Sequence, residues 1–80
     1  MEKRTRLLEQ IRNNSKNVDC NDLKKLIELY GFVLKNVTGD HFHYKREGFR
    51  TLTIPRKNPV WIEVVKQVLR TIDEIEEIEN

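Results

Sequence analysis

The stretch Phe32–Pro55, "FVLKNVTGDHFHYKREGFRTLTIP", decides the fold because apolar and aromatic residues recur within it at intervals of two. Three short runs, "FVLKNV", "HFHYKR" and "FRTLTIP", are separated by "TGD" and "EG". β-Branched and aromatic runs divided by Gly-containing turns are typical of antiparallel strands joined by hairpins. The sequence therefore predicts a three-stranded antiparallel meander.

The middle strand of this meander separates two kinds of side chain. Polar and apolar residues alternate along it as His41, Phe42, His43, Tyr44 and Lys45. Because successive strand side chains point to opposite faces of a sheet, we expect one apolar face and one polar face that carries both histidines. Leu52 and Ile54 continue the apolar face on the third strand, and Arg50 shares their parity.

Two helices are predicted before the strands. The segment from Glu2 to about Asn13 has apolar residues at helical spacing, and a second helix is indicated by Leu23, Leu26, Ile27 and Tyr30. Asp19 or Asn21 is the expected N-cap of the second helix, since their side chains accept hydrogen bonds from free amides. Gly31 supplies the left-handed conformation that ends a helix.

A third helix is predicted after the strands, with Asn58 as its cap and Pro59 in its first turn. Its apolar stripe consists of Trp61, Val64, Val65, Val68, Leu69 and Ile72. This order of elements predicts an α+β fold, with helices on one face of the sheet and the other face open. We expect residues 1–80 to form one domain, with a helical extension at 1–15, a core at 19–72 and the acidic end of the last helix at 73–80.

The composition is that of a small globular protein, with 38% apolar and 35% charged residues among 80. No apolar run approaches the roughly 20 residues of a membrane-spanning helix, and no signal-peptide pattern is present, so we expect a cytoplasmic protein without membrane contact. The single cysteine, Cys20, excludes an internal disulfide. Residues 1–57 are mainly basic and residues 58–80 mainly acidic, which suits either a polyanion-binding surface or contact between subunits.

The two histidines, His41 and His43, are the candidates for chemistry. A zinc site needs three or four ligands and these residues supply two, so we expect neither a metal nor a cofactor. The simplest alternative is that both are ordinary polar residues on the solvent face of a strand. A further possibility is RNA cleavage, since an imidazole can exchange a proton with the 2′-hydroxyl or the leaving oxygen.

Basic residues of the strands and turns are the candidates for binding the phosphates of such a substrate. They are Lys35, Lys45, Arg46, Arg50, Arg56 and Lys57. The sequence contains no glycine-rich phosphate loop, no G-x-S-x-G and no H-E-x-x-H motif. Because basic surfaces are common in proteins that bind nothing, these residues alone leave both interpretations open.

The stretch "LKKLIELYGFVLKNVTGDHFHYKREGFRTLTIP", Leu23–Pro55, resembles the HicA toxins, which are small mRNA interferases of prokaryotic toxin–antitoxin modules. The resemblance lies in a helix ending in "GF", a turn with glycine two residues before a histidine, an aromatic residue in a short strand, a second glycine turn and a strand ending in "IP". The segment "NPVWIEVVKQVLRTIDEIEE" is similar to the closing helix of longer members. The resemblance implies a double-stranded-RNA-binding-domain-like α-β-β-β-α core, to which the first helix is an addition.

The resemblance also implies a site and partners. The histidine of the family's Gly-Ser-His turn falls on His41, with Gly39 in the turn, so His41 is the expected acid/base catalyst. His43 inherits no role from the family and is a second candidate because it shares the strand face. The RNA-binding residues would be Gly39 and the six basic residues named above. The implied partners are mRNA and a HicB-type antitoxin that covers the active site, and we expect a monomer or weak dimer in the absence of the antitoxin.

Two departures from the family pattern keep other functions open. Asp40 replaces the usual serine, and the loop after Pro55 reads "RKNP" where some members carry a histidine. One alternative is a non-catalytic RNA-binding module of the same fold. Another is an interaction protein whose acidic last helix pairs with a basic partner or with its own basic sheet.

Overall fold

Helices flank a three-stranded sheet in this protein, as seen in a computed structural model that describes residues 2–79. The elements are α1 (Lys3–Asn13), α2 (Cys20–Leu29), β1 (Val33–Thr38), β2 (His41–Lys45), β3 (Leu52–Pro55) and α3 (Ile62–Glu79). The sheet is antiparallel with the strand order β1-β2-β3. These observations confirm the predicted α+β class and are consistent with a double-stranded-RNA-binding-domain-like core that carries an extra N-terminal helix.

The two faces of the sheet differ as the alternation in β2 predicts. Phe42, Tyr44, Leu52 and Ile54 are buried against the helical layer, in which α2 and α3 pack on β3. On the opposite face, His41 and Lys45 are exposed and His43 is half-buried. Burial of each large apolar side chain stabilises the fold by about 1.5–3 kcal/mol, so this alternation decides which face the helices cover. The other face is left to solvent or to a ligand.

Helix α2 has a defined start and a defined end. Asp19 is its N-cap, as predicted, and the Asp19 carboxylate accepts a 2.7 Å hydrogen bond from the Asn21 amide. At the other end Gly31 has φ 91°, the amide of Gly31 donates to the Glu28 carbonyl and the amide of Phe32 donates to the Ile27 carbonyl. This pair of bonds is a Schellman motif, which ends the helix and turns the chain into β1.

The start of α3 differs from the prediction. The helix begins at Ile62, and the Trp61 carbonyl accepts the first helical bonds, so neither the predicted Asn58 cap nor Pro59 in the first turn is correct. The Asn58 side chain instead accepts a 2.8 Å hydrogen bond from the Cys20 amide, at the start of α2. Trp61 lies outside the apolar stripe and is 50% exposed, whereas Val60 is buried and its amide donates to the Val18 carbonyl. Over residues 2–79 no helix is both long and apolar enough to cross a membrane.

Strand β1 is an edge strand, and all of its residues are exposed. The register of β1 against β2 shifts between Leu34 and Asn36, so Lys35 is an extra residue without a partner across the ladder. This bulge is needed because Leu34 and Val37 are three positions apart and yet both pair with apolar residues of β2. The bulge therefore keeps Leu34 and Val37 on the same face of the sheet.

Candidate nucleic-acid interface

The hairpin turn between β1 and β2 places His41. Thr38 pairs with His41 across the loop formed by Gly39 and Asp40. Gly39 has φ 58°, a positive value that tight hairpin turns demand and that glycine adopts without steric cost. The Asp40 carbonyl accepts a 2.7 Å hydrogen bond from the Arg56 amide. The turn therefore holds His41 at the start of β2, beside the segment that follows β3.

The two histidines share a face but differ in their surroundings. The His43 ring lies between two hydroxyls, with Nδ1 3.0 Å from Thr53 Oγ1 and Nε2 3.1 Å from Thr38 Oγ1. A neutral imidazole donates from one nitrogen and accepts at the other, and a hydroxyl can do either, so both nitrogens of His43 are satisfied. The His41 ring is exposed, and no hydrogen bond from within residues 2–79 holds it. Of the two, His41 is the one whose ring is available to a ligand.

Two of the predicted phosphate-binding residues lie next to His41. Pro55 pairs with His41 across the sheet, and Arg56 and Lys57 follow Pro55 directly. The Lys57 ammonium lies 5.5 Å from the centre of the Trp61 ring, so the exposed tryptophan helps to place this cation. We call this region the His41 end of the sheet, which comprises Asp40, His41, Pro55, Arg56 and Lys57.

Lys35 and Lys45 lie farther along the sheet, and both are exposed. Lys45 pairs with Val33 at the far end of β2, roughly 13 Å from His41 at the usual rise of a strand. Lys35 is the bulge residue of β1. These two lysines can extend a basic surface away from His41 but do not surround it.

The remaining predicted residues, Arg46 and Arg50, are paired with acidic residues of α3. Arg46 donates a 2.8 Å hydrogen bond to the Tyr30 carbonyl, and its other terminal nitrogen lies 3.7 Å from a Glu79 carboxylate oxygen. Arg50 donates a 3.1 Å hydrogen bond to Glu74. We call this group, Tyr30, Arg46, Arg50, Glu74 and Glu79, the Arg46 end of the sheet. Two acidic residues of α3, Glu74 and Glu79, are thus paired with basic residues of their own chain.

The hydroxyls of two buried tyrosines donate hydrogen bonds to glutamates of the helices. The Tyr30 hydroxyl donates to Glu76 at 2.7 Å, and the Tyr44 hydroxyl donates to Glu28 at 3.1 Å. Burial and then the hydrogen bond to Glu76 raise the pKa of Tyr30 to about 12. Burial and the hydrogen bond to Glu28 raise the pKa of Tyr44 to about 12 in the same way. Both phenols are therefore held in their neutral, donating form.

Lys24 of α2 lies near the His41 end, and the sequence pattern did not single it out. The Lys24 ammonium is 3.9 Å from the centre of the Phe42 ring, and the Arg56 guanidinium is 5.4 Å from the centre of the same ring. An open cleft of about 270 Å³ is lined by Cys20, Asn21, Lys24, Phe42, Arg56 and Asn58. No local signal marks Lys24, because its nearness to Phe42 depends on how α2 packs over the sheet.

The comparison with protein families decides which family this chain belongs to. A family model described as "HicA toxin of bacterial toxin-antitoxin" matches residues 20–73, which is more than half of the chain. The chain belongs to the HicA toxin family. The HicA match begins with α2 and ends within α3, so it includes all three strands and leaves α1 outside. No curated protein sequence and no solved structure matches the chain.

The region of the HicA match contains the whole His41 end and the cleft beside Lys24. It also contains both departures from the family pattern, Asp40 and the "RKNP" loop. No salt bridge joins Asp40 to His41 in the described part of the chain. Within residues 2–79 no three His, Cys, Asp or Glu side chains group to hold a metal ion. The HicA match therefore includes one exposed imidazole, His41, and the two cations that follow its strand partner Pro55.

Proposed function

We propose that this HicA-family protein is an mRNA interferase, a metal-independent endoribonuclease in which His41 is the acid/base catalyst. The observation that carries the proposal is the contrast between the histidines: the ring of His41 is exposed at the sheet end where Arg56 and Lys57 follow its strand partner Pro55, while both ring nitrogens of His43 lie within hydrogen-bond distance of threonine hydroxyls. Membership in the HicA toxin family supports the toxin role.

The reaction that suits a single exposed imidazole is cleavage by the RNA's own 2′-hydroxyl. His41 removes the proton from this hydroxyl, the oxygen attacks the adjacent phosphorus, and the bond to the 5′-oxygen breaks. The leaving oxygen takes a proton from water or from His43, and the products are a 2′,3′-cyclic phosphate and a 5′-hydroxyl end. Nearby cations oppose the charge that develops on the phosphate oxygens.

The proposed RNA-binding residues fall into two groups. Gly39, Arg56 and Lys57 surround the scissile phosphate at the His41 end, and Lys35 and Lys45 contact the strand farther along the polar face. The prediction that Arg46 and Arg50 bind RNA stays a prediction, and their ion pairs favour a structural role.

The test is RNA cleavage by purified wild-type protein and the His41→Ala variant. Loss of a general acid/base lowers a rate by about 10²–10⁴-fold, so we expect His41→Ala to cleave at least about 100-fold more slowly. Cyclic phosphate ends should be detected on the wild-type products. His43→Ala is the matched control, for which we expect a smaller loss. Cleavage at the wild-type rate by His41→Ala would exclude His41 as the catalyst.

A second candidate function is a non-catalytic RNA-binding module. Asp40 in place of serine and the "RKNP" loop without a histidine favour it. This candidate predicts RNA binding that weakens with salt, survives in His41→Ala and leaves no cleavage products. Any cleavage that depends on His41 excludes it.

The proposed partners are mRNA and a HicB-type antitoxin that covers the His41 end, with the toxin a monomer or weak dimer in the cytoplasm when alone. Family membership supports an antitoxin partner. The rival interpretation, in which the acidic last helix binds a basic partner, is weakened because Asp73, Glu74 and Glu79 already pair within the chain. A small antitoxin-like gene beside this one, whose product restores growth when co-expressed, is the expected finding.

A further inference from the structure

The cleft beside Lys24 lies on the helical side of the sheet, opposite the face that carries His41. Phe42 follows His41 in β2, and its side chain points to the other face of the sheet. Lys24 from α2 and Arg56 from the segment after β3 both lie over the Phe42 ring. The cleft therefore lies on the other side of the sheet from His41. Phe42, which lines it, is the next residue after His41 in β2.

Two cations converge in this cleft without a carboxylate between them. Their distances to the ring place the Lys24 and Arg56 charges within about 9 Å of each other. The residues that line the cleft include no acidic group, and within residues 2–79 neither cation forms a salt bridge. Two like charges at this separation in water repel by no more than about the thermal energy, and a cation–π contact offsets that repulsion, so the two cations can share the cleft. Because no carboxylate neutralises them, both charges remain available to an anion in the cleft.

The backbone amides at the start of α2 are not the groups that would bind an anion in this cleft. The Cys20 amide is bonded to Asn58, and the Asn21 amide is bonded to Asp19, so the first amides of the helix already have acceptors. An anion in the cleft would instead meet the side chains of Lys24 and Arg56. Both side chains are long and basic, which suits contact with a phosphodiester.

We propose that this cleft binds a phosphate of the RNA strand next to the one at His41, so that the strand passes around the Gly39–Asp40 end of the sheet. The inference rests on the proposed function in so far as RNA is the ligand. It adds Lys24 to the binding residues and gives the RNA a path from the polar face to the helical side. Arg56 lies where the two sites meet, because its amide is bonded to Asp40 and its guanidinium lies over Phe42.

The experiment measures RNA binding in the His41→Ala background, so that cleavage does not interfere. Lys24→Gln, Arg56→Gln and the double variant are titrated with a labelled RNA hexanucleotide at several salt concentrations. Lys25→Gln is the matched control, since Lys25 is the next lysine along α2 and lies outside the cleft. Thermal unfolding of each variant verifies that it is folded.

We expect the double variant to bind the hexanucleotide about tenfold more weakly. Its plot of log affinity against log salt should become shallower by about 0.7 for each phosphate that the variant no longer neutralises. Lys25→Gln should keep the slope of the parent protein. For a dinucleotide, whose single phosphate occupies the His41 end, Lys24→Gln alone should lose much less affinity than for the hexanucleotide.

The outcomes separate the cleft from the catalytic proposal. Equal losses in Lys24→Gln and Lys25→Gln, or equal losses of Lys24→Gln for the two RNA lengths, would overturn the cleft as a phosphate site even where wild-type protein cleaves RNA. A double variant that loses affinity for the antitoxin but not for RNA would overturn it too. Conversely, a loss confined to the longer RNA would support the cleft even where the wild-type protein proves to cleave nothing.

Discussion

The two ends of the sheet both carry arginine, and they use it differently. At the Arg46 end, the Arg46 and Arg50 side chains bind a carbonyl and two carboxylates of the same chain. At the His41 end, Arg56 lies over an aromatic ring, with Lys24 beside it and no carboxylate partner in the described residues. A basic residue whose charge is already satisfied stabilises the fold, whereas one left unsatisfied is available for a ligand.

The largest expected effect concerns pH and two buried tyrosines, Tyr30 of the Arg46 end and Tyr44 of β2. An ordinary phenol has a pKa near 10.0, and the pKa values of Tyr30 and Tyr44 are raised to about 12. Below pH 10 the phenols are protonated whether the chain is folded or unfolded. Between pH 10 and pH 12 the unfolded chain releases protons that the folded chain keeps, so base favours unfolding by about 1.4 kcal/mol per pH unit for each tyrosine.

Chemical denaturation as a function of pH tests this expectation. The unfolding free energy of the wild-type protein should fall steeply from pH 10 towards pH 12. Tyr30→Phe and Tyr44→Phe should each show a shallower fall, since each removes one titrating phenol. Identical slopes in all three proteins would mean that these hydroxyls are not held neutral by the fold.

The next prediction compares Arg46→Ala with Arg56→Ala, two variants with the same change of charge. Arg46→Ala should lower the free energy of unfolding by about 2 kcal/mol, because it leaves the Tyr30 carbonyl without a charged donor. Arg56→Ala should lower it by only about 0.5 kcal/mol, the value of an exposed cation–π contact. Urea denaturation measures both.

RNA affinity gives the opposite ranking for the same two variants. We expect Arg56→Ala to weaken RNA binding and to reduce its salt dependence, and Arg46→Ala to change both less. If Arg46→Ala proves stable and poor at binding RNA, the distinction between the two ends is wrong and Arg46 belongs to the RNA-binding surface.

The smallest effect is expected from the Arg50–Glu74 pair. The nitrogen and oxygen are 3.1 Å apart, but the side chains are 47% and 49% exposed. Exposed ion pairs contribute about 0.2–1 kcal/mol, so a double-mutant cycle with Arg50→Ala and Glu74→Ala should give a coupling near the low end of that range. A coupling above about 1 kcal/mol would show that the Arg46 end is a cooperative network and not a set of separate pairs.

Local features of the fold were predictable from the sequence, and distant contacts were not. The Asp19 cap, the Gly31 helix end and the Gly39 turn each depend on a few neighbouring residues. Asn58 was predicted to cap α3 because it precedes that helix, but its side chain bonds Cys20, which is 38 positions away. Whether the Asn58 side chain accepts a hydrogen bond from an amide of α3 or from the Cys20 amide depends on how the loop before α3 packs against α2.

The candidate site shows the same difference between features that are predictable from neighbouring residues and contacts that are not. Strand alternation places His41 and His43 on one face, but the threonines that engage His43 come from the two neighbouring strands. Nothing in the local pattern shows that Arg50 pairs with Glu74 of α3 while Arg56 lies over Phe42. Both depend on contacts between elements that are separated in sequence.

The bulge in β1 gives Lys35 a second structural role, which is protection of an exposed sheet edge. An exposed edge strand offers unpaired backbone groups to any other strand, and proteins commonly protect such edges with a bulge and a lysine. Lys35 supplies both at once, next to the exposed apolar side chains of Leu34 and Val37. Removal of its charge would therefore lower the barrier to strand-to-strand association between molecules, apart from any loss of the proposed phosphate contact. A Lys35 variant that loses activity has to be compared with the wild-type protein in its state of aggregation as well.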